Sequence, residues 1–200
     1  MTNITDLINK QPDVFFILQQ IGKIADEANK KVFGVGGVVR DLILDREIKE
    51  VDLMVIGDGI EFAKKVADKI GVSKIVPFHK FSTAHIPNKP IAIEIAAARQ
   101  ETYSSESRKP KTIKYTDLKG DLIRRDFTIN ALYSNSQGTL IDPLGIIEDV
   151  KKQRVCFIGD AQTRIKEDYL RILRFFRFHA WFGGLKNGID AEGLAACAKL

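Results

Sequence analysis

Six residues constrain this chain more than any others: Glu50-Val51-Asp52-Leu53-Met54-Val55 alternate acidic and apolar positions at their start. This is the period of a half-buried strand, whose successive side chains point to opposite faces. Glu50 and Asp52 therefore project together, while Val51, Leu53 and Val55 turn to a core. Two adjacent carboxylates repel, and a divalent cation between them relieves the repulsion. A wet edge strand with an acidic outer face has the same pattern, so the pair alone leaves both readings open.

The flanking sequence gives the strand a sheet to lie in. The spacing predicts a helix over 13–30, a strand over 31–36 running into a Gly36-Gly37 turn, and a short helix over 38–44. A helix over 60–70, ended by Gly71, follows the acidic strand. Three more strands are expected over 73–76, 81–86 and 91–97, interrupted by Pro87 and Pro90. Residues 100–119 are rich in Ser, Lys and Thr and read as a long mobile loop. A helix over 122–133 and a last strand over 139–141 complete an α+β domain, and from Asp160 the pattern is wholly helical. The boundary is placed near Gln153, giving a first unit over 1–152 and a helical one over 153–200.

Composition removes several classes. With 44% hydrophobic and 28% charged residues, the chain is neither disordered nor collagen-like, and two cysteines do not make a disulfide framework. No apolar run approaches the ~20 residues of a membrane-spanning helix, so no membrane partner is expected. The first residues lack the marks of a signal or transit peptide, and a reducing cytoplasm is the expected location. Nothing fixes an oligomeric state. The net charge of +5 is mild but unevenly placed. Residues 99–125 hold eight Lys/Arg against four Asp/Glu, and residues 151–179 hold eight against three. Each stretch is either a solvated basic face or a phosphate-binding surface.

Other residues carry chemistry by type and position. Gly36 and Gly37 let backbone approach a phosphate, and Arg40 follows as a charged fork. Glu94 shares its strand face with Ala92 and Ala96, small neighbours that leave room for a ligand; it is either a third catalytic carboxylate or a paired structural acid. Arg124 and Arg125 suit triphosphate oxygens, and Asp126 and Asn130 suit ribose hydroxyls. Over 164–181 a single helix is expected, with Ile165, Tyr169, Ile172 and Phe176 as its apolar stripe and Glu167, Asp168, Arg171 and Arg174 on another face. Asp168 and Arg171 either bridge each other or read a base. An acceptor beside a donor matches cytosine and adenine and mismatches uracil and guanine. His79, His85 and His179 lack metal-ligand spacing and read as structural or surface residues.

The motifs GGVVRD at 36–41, EVDLMV at 50–55, ESRKP at 106–110, RRDFTINAL at 124–132, DPLGIIED at 142–149 and EDYLRILRFFRF at 167–178 resemble, in order, the head and neck of class II CCA-adding enzymes within the bacterial poly(A) polymerase family. The resemblance implies a polymerase β-like nucleotidyltransferase head followed by an all-α neck. It implies that Glu50 and Asp52 bind Mg2+, and Glu94 is the candidate third catalytic carboxylate by its strand position. Gly36, Gly37, Arg40, Arg125, Asp126, Asn130, Asp168, Arg171, Arg174 and Arg177 would bind the nucleotide. The implied substrates are CTP, ATP and a tRNA 3′ end, with poly(A) synthesis or CC-only and A-only addition as alternatives, and a non-catalytic binding fragment as another class. Glu50 stands where most relatives carry Asp, and Gly145-Ile146 where they carry Gly-Gly. The family's C-terminal body and tail, which hold the tRNA, have no counterpart in these residues.

Overall fold

The computed structural model describes residues 4–104, 107–182 and 189–199. Helix α1 (Thr5–Asn9) precedes α2 (Pro12–Glu27), whose Pro12 opens the first turn and whose Val14, Ile17, Leu18, Ile21 and Ala25 are buried at helical spacing. Strand β1 (Val32–Val35) leads through Gly36 into α3 (Gly37–Ile43) and then β2 (Glu50–Val55). Helix α4 (Gly59–Ile70) starts where the Asp58 side chain accepts the N–H groups of Ile60 and Glu61, and ends at Gly71 with φ 77°. Strand β3 (Val76–Phe78), a 3₁₀ turn at His79–Phe81, β4 (Thr83–Ile86) and β5 (Ala92–Ala97) follow.

Seven strands make one mixed sheet in the order β3-β4-β5-β2-β1-β8-β9, with β8 (Tyr133–Ser134) and β9 (Leu140–Ile141) at its far edge. β2 and β5 run parallel, placing Asp52 opposite Glu94, and β4 runs antiparallel to β5, placing His85 opposite Glu94. The expected alternation holds: Val51, Leu53, Ile93 and Ile95 are buried beneath the sheet, while Glu50, Asp52 and Glu94 line the other face. α2 and α4 cover the apolar face, and Gly59 brings α4 so close that an added Cβ would sit 2.2 Å from the Ser82 carbonyl oxygen.

Several expectations are corrected, beginning with the strand expected over 73–76, which is β3 over 76–78. Residues 100–119 are not a loop: β6 (Arg99–Ser104) and β7 (Ser107–Tyr115) form an antiparallel hairpin, and Asp117 caps α5 (Leu118–Arg124). The helix expected over 122–133 is this shorter α5 followed by a 3₁₀ turn at Thr128–Asn130. Asp126 Oδ1 accepts from the N–H of Phe127, a local bond that competes with helix continuation. The helix expected over 164–181 is broken. α6 (Ile147–Lys151) is followed by α7 (Ala161–Glu167), then Asp168 in extended conformation, then α8 (Leu170–Trp181). The stripe is corrected with it: Tyr169 and Phe176 are exposed, and Phe175, Phe178 and Phe182 are buried. α9 (Ala191–Lys199) lies against α7.

The helical segment shares the sheet domain's core. The Phe127 ring lies 4.8 Å from Phe157, 6.1 Å from Phe175 and 5.7 Å from Phe178 between ring centres. No described helix is long and apolar enough to cross a membrane.

Candidate active site

The carboxylate row lies where β2 and β5 are in parallel register. Burial pushes the Asp52 carboxyl up to about 7, reinforced by Glu50 and Glu94 and partly offset by Arg125 and Arg40. Glu94 is likewise raised, first by burial and then by Glu50. Glu50 sits at the more open end, its Oε1 3.2 Å from Nδ1 of His85. His85, read from sequence as a structural or surface residue, is thus part of the row's surroundings. Arg125 and Arg40 offset the repulsion among these acids only in part, and the donor set is all hard oxygen, the chemistry suited to a divalent cation.

Glycine keeps the approach to Asp52 open. Gly36 has φ 62°, and a Cβ there would meet Arg125 Nη1 at 3.5 Å; one on Gly37 would meet Asp52 Oδ2 at 3.3 Å. Beside this turn opens a cavity of about 950 Å³, lined by Gly36, Gly37, Arg40, Asp52, Arg125, Asp126, Asn130, Asp168, Arg171, Arg174 and Arg177. All the expected nucleotide contacts therefore meet in one space. Of Glu50, Asp52 and Glu94, only Asp52 lines it; Glu94 lines an adjoining cavity and Glu50 neither.

The arginines are anchored rather than loose. Arg40 donates to both carboxylate oxygens of Asp41 and, through Nη1, to Asn130 Oδ1 at 2.8 Å, and its guanidinium lies 4.6 Å from the Trp181 ring centre. Arg174 Nε donates to Asp126 Oδ2 at 2.6 Å, tying α8 to the sheet domain. Arg125 donates to Asp121, to Tyr133 Oη and to the Asn130 carbonyl. Arg124 shares Asp121 through Nε at 2.9 Å and Nη2 at 2.6 Å. The Asp121 side chain is wholly enclosed; burial alone would raise its pKa, but Arg125 and Arg124 hold it below the usual carboxylate value.

The proposed bridge between Asp168 and Arg171 is not formed. Arg171 Nη1 donates to Glu167 Oε2 and the Arg164 carbonyl, and Nη2 donates to the Arg124 carbonyl. Three of its five N–H donors are used in holding it, leaving two for another partner. Asp168 Oδ1 accepts the Leu170 N–H, and its other oxygen is uncommitted among the described residues. The two groups face the same cavity from separate supports.

Sequence reading missed Asp121, Glu101, Tyr103 and Trp181, while Glu167, placed on the polar face with Arg171, is the residue that pairs with it. Asp121 was detectable: with a helix starting at 118, arginines at i+3 and i+4 mark it as their partner. Glu101 pairs with Arg99 at 2.6 Å and accepts from Tyr103 Oη, contacts that only the unexpected hairpin creates. The Ser104–Lys109 side chains, including most of ESRKP, lie outside the described residues.

A family model described as the Poly A polymerase head domain matches residues 32–156. The chain is 42% identical over 152 residues to the A-adding tRNA nucleotidyltransferase of Aquifex aeolicus, covering 74% of this chain and 18% of that protein. It is 37% identical to the A-adding tRNA nucleotidyltransferase of Geobacter sulfurreducens, covering 84% and 19%. A CCA-adding enzyme of Geobacillus is 32% identical, covering 81% and 38%. Among solved structures, an apo CCA-adding enzyme superposes with TM-score 0.85 at 32% identity, covering 99% of this chain and 47% of that one. A tRNA nucleotidyltransferase complexed with a primer tRNA and an incoming ATP analog gives 0.73 at 35%, covering 90% and 49%. The chain thus spans less than half the length of each of these proteins.

Proposed function

Because the chain belongs to the poly(A) polymerase head-domain family, we propose that it is the nucleotidyltransferase part of an enzyme adding C and A to the 3′ end of tRNA without a template. Residues 1–152 would form the catalytic head and 153–200 the neck. The observation that carries this reading is a carboxylate row opening, at Asp52, into a cavity walled by anchored arginines.

In the reaction the acceptor 3′-oxygen attacks the nucleotide α-phosphorus. The new O–P bond forms as the bond to pyrophosphate breaks, and the hydroxyl proton leaves to solvent. Glu50 and Asp52 would hold Mg2+, with Glu94 as the third carboxylate. Among the described residues no three His, Cys, Asp or Glu groups form a ready metal cage. Magnesium is commonly held by one or two carboxylates together with substrate phosphates. When bound, it would make the hydroxyl more acidic and neutralise charge on the phosphate oxygens. Gly36 and Gly37 admit the triphosphate close to backbone, and Arg40 and Arg125 orient it. Asp126 and Asn130 present acceptors and a donor to the ribose. Arg174 and Arg177 line the wall between sugar and base.

Asp168 and the two remaining donors of Arg171 read the base. Cytosine and adenine both offer an amino donor beside a ring-nitrogen acceptor, so one fixed pair accepts either and rejects uracil and guanine. A second reading, addition of A alone, is favoured by the 42% and 37% identities to A-adding relatives. The cytoplasm, where Cys156 and Cys197 remain thiols, is the fitting location. The test is incubation with each labelled NTP and tRNA ending before CCA or after CC. C and A incorporation supports the first reading; A only, on the CC-ended tRNA, supports the second. Incorporation of U or G refutes base reading by Asp168 and Arg171.

A further inference from the structure

Helix α8 meets the sheet domain at three points along its length. Arg171 Nη2 donates to the Arg124 carbonyl, Arg174 pairs with Asp126, and at the helix's last residue the Arg40 guanidinium lies over the Trp181 ring, 4.6 Å from its centre. Arg171 and Trp181 stand about 15 Å apart along the axis, at 1.5 Å per residue. The last two points belong to one circuit. Asp126 Oδ1 accepts from Asn130 Nδ2 at 3.4 Å, Asn130 Oδ1 accepts from Arg40 Nη1 at 2.8 Å, and Arg40 returns to α8 at Trp181.

Trp181 adds little to the apolar core. Its neighbours Phe178 and Phe182 are buried, whereas Trp181 is half-exposed at the wall of the large cavity. What the ring meets is charge: besides Arg40, Arg46 lies 5.2 Å from its centre, with Nη1 buried and without a hydrogen-bond partner among the described residues. Arg40 is buried, and an aromatic face is worth most to a cation removed from water. Asp41 and Asn130 hold the Arg40 guanidinium by its edges and use three of its five N–H donors. The ring beneath restricts its swing about those bonds. An aliphatic side chain would fill the space but offer no negative face.

Resting on the nucleotidyltransferase reading, we propose that Trp181 is a positioning residue for the nucleotide's triphosphate: its ring fixes the Arg40 guanidinium so that the two remaining N–H donors are held ready for phosphate oxygens. Trp181 touches no phosphate itself. Because the same helix carries Arg171 near its other end, one element sets the spacing between the group that reads the base and the group that holds the phosphates. Stacking of the ring on the base is the competing role, and a ligand with phosphates and no base separates the two.

The test uses the 200-residue chain and inorganic tripolyphosphate with magnesium, titrated by calorimetry. Tryptophan occurs once in the sequence, so fluorinated tryptophans supplied during expression alter this ring alone. Fluorine drains the negative face with little change in ring size, and tripolyphosphate affinity is expected to fall stepwise through the mono-, di- and trifluoro rings. Trp181→Leu is expected to weaken tripolyphosphate, CTP and ATP alike by about three- to thirtyfold, the range of one cation–π contact. Trp181→Phe is expected to restore most of that affinity. Affinity indifferent to fluorination, or a Trp181→Leu chain that melts at a lower temperature but binds tripolyphosphate as before, overturns this inference. So does a loss confined to CTP and ATP, which would assign the ring to the base. Each of these leaves the nucleotidyltransferase reading intact, whereas a chain that binds neither NTP nor tripolyphosphate with magnesium overturns both.

Discussion

Replacing Asp121 by asparagine keeps the side chain's size and removes the one charge that organises two arginines of the site. Its oxygens accept four bonds of 2.6–2.9 Å from Arg124 and Arg125, and its side chain has no solvent exposure. Breaking a buried ion pair from one side costs about 3–5 kcal/mol, because the partner charge stays behind. Here the lower end applies: Glu101 lies 3.8 Å from Arg124, and Arg125 keeps Tyr133 and the Asn130 carbonyl. A loss of about 3 kcal/mol, with a urea slope of about 2 kcal/mol per molar, lowers the unfolding midpoint by about 1.5 M. The pH dependence follows from the depressed carboxyl. Its stabilising contribution is complete above the unfolded value of 3.8 and is lost as pH falls through the lower folded value. Urea unfolding at pH 7, 5, 4 and 3 should therefore give a gap between the two proteins that is constant to about pH 5 and closes on further acidification. A gap below about 1 kcal/mol at pH 7, or one that persists in acid, would refute the assignment of Asp121 as the anchor.

Asp52→Asn should abolish extension yet raise stability by on the order of a few kcal/mol at pH 8, since a carboxyl pushed up to about 7 is unfavourably ionised there; denaturation at pH 8 and pH 5 checks this, and the gain must shrink at the lower pH. Arg171→Ala should weaken CTP and ATP binding together, by about ten- to a hundredfold, the worth of a paired base contact; titrating each nucleotide checks it, and loss of only one refutes shared reading. Gly59→Ala forces a methyl to 2.2 Å from the Ser82 carbonyl and 2.6 Å from the Ala97 nitrogen, and should lower stability by about 1–3 kcal/mol or more; an unchanged melting temperature would refute the close approach of α4.

What the sequence made legible follows from periodicity. The acidic strand and the Glu94 strand declare themselves because one face of each is buried, and their parallel register then brings Asp52 to Glu94 without any further signal. The β6–β7 hairpin gave no such signal because neither face supplies an apolar repeat. Its pairing rests on polar contacts, such as the Thr102 and Thr112 hydroxyls 2.6 Å apart and Arg99 with Glu101 along one strand. The helices expected over 122–133 and 164–181 are broken for one reason. Asp126 and Asp168 each accept a nearby backbone N–H, ending helical geometry in stretches whose apolar spacing looks continuous. Those breaks are what let Asp126, Asn130 and Asp168 reach the cavity.

The same structure changes the meaning of the basic stretches. Eight Lys/Arg in 99–125 looked like a surface for polyanions, but among the described residues every arginine lining the cavity except Arg177 has a carboxylate partner. Arg40 is paired with Asp41, Arg99 with Glu101, Arg124 and Arg125 with Asp121, Arg171 with Glu167, and Arg174 with Asp126. Arg177 stacks on Phe178 and has no ion pair among the described residues. Charge paired in this way contributes little long-range attraction, so the mild +5 understates how many cationic groups face the cavity. What the pairing supplies is orientation: each fork is held before a ligand arrives, and less side-chain entropy is lost when one binds. Arg171 shows the consequence most directly, since three donors fix it and two are left over. Under the proposed base reading, selection by a side chain this constrained would depend on donor geometry, and Glu167, which holds Arg171, would bear on specificity through that geometry.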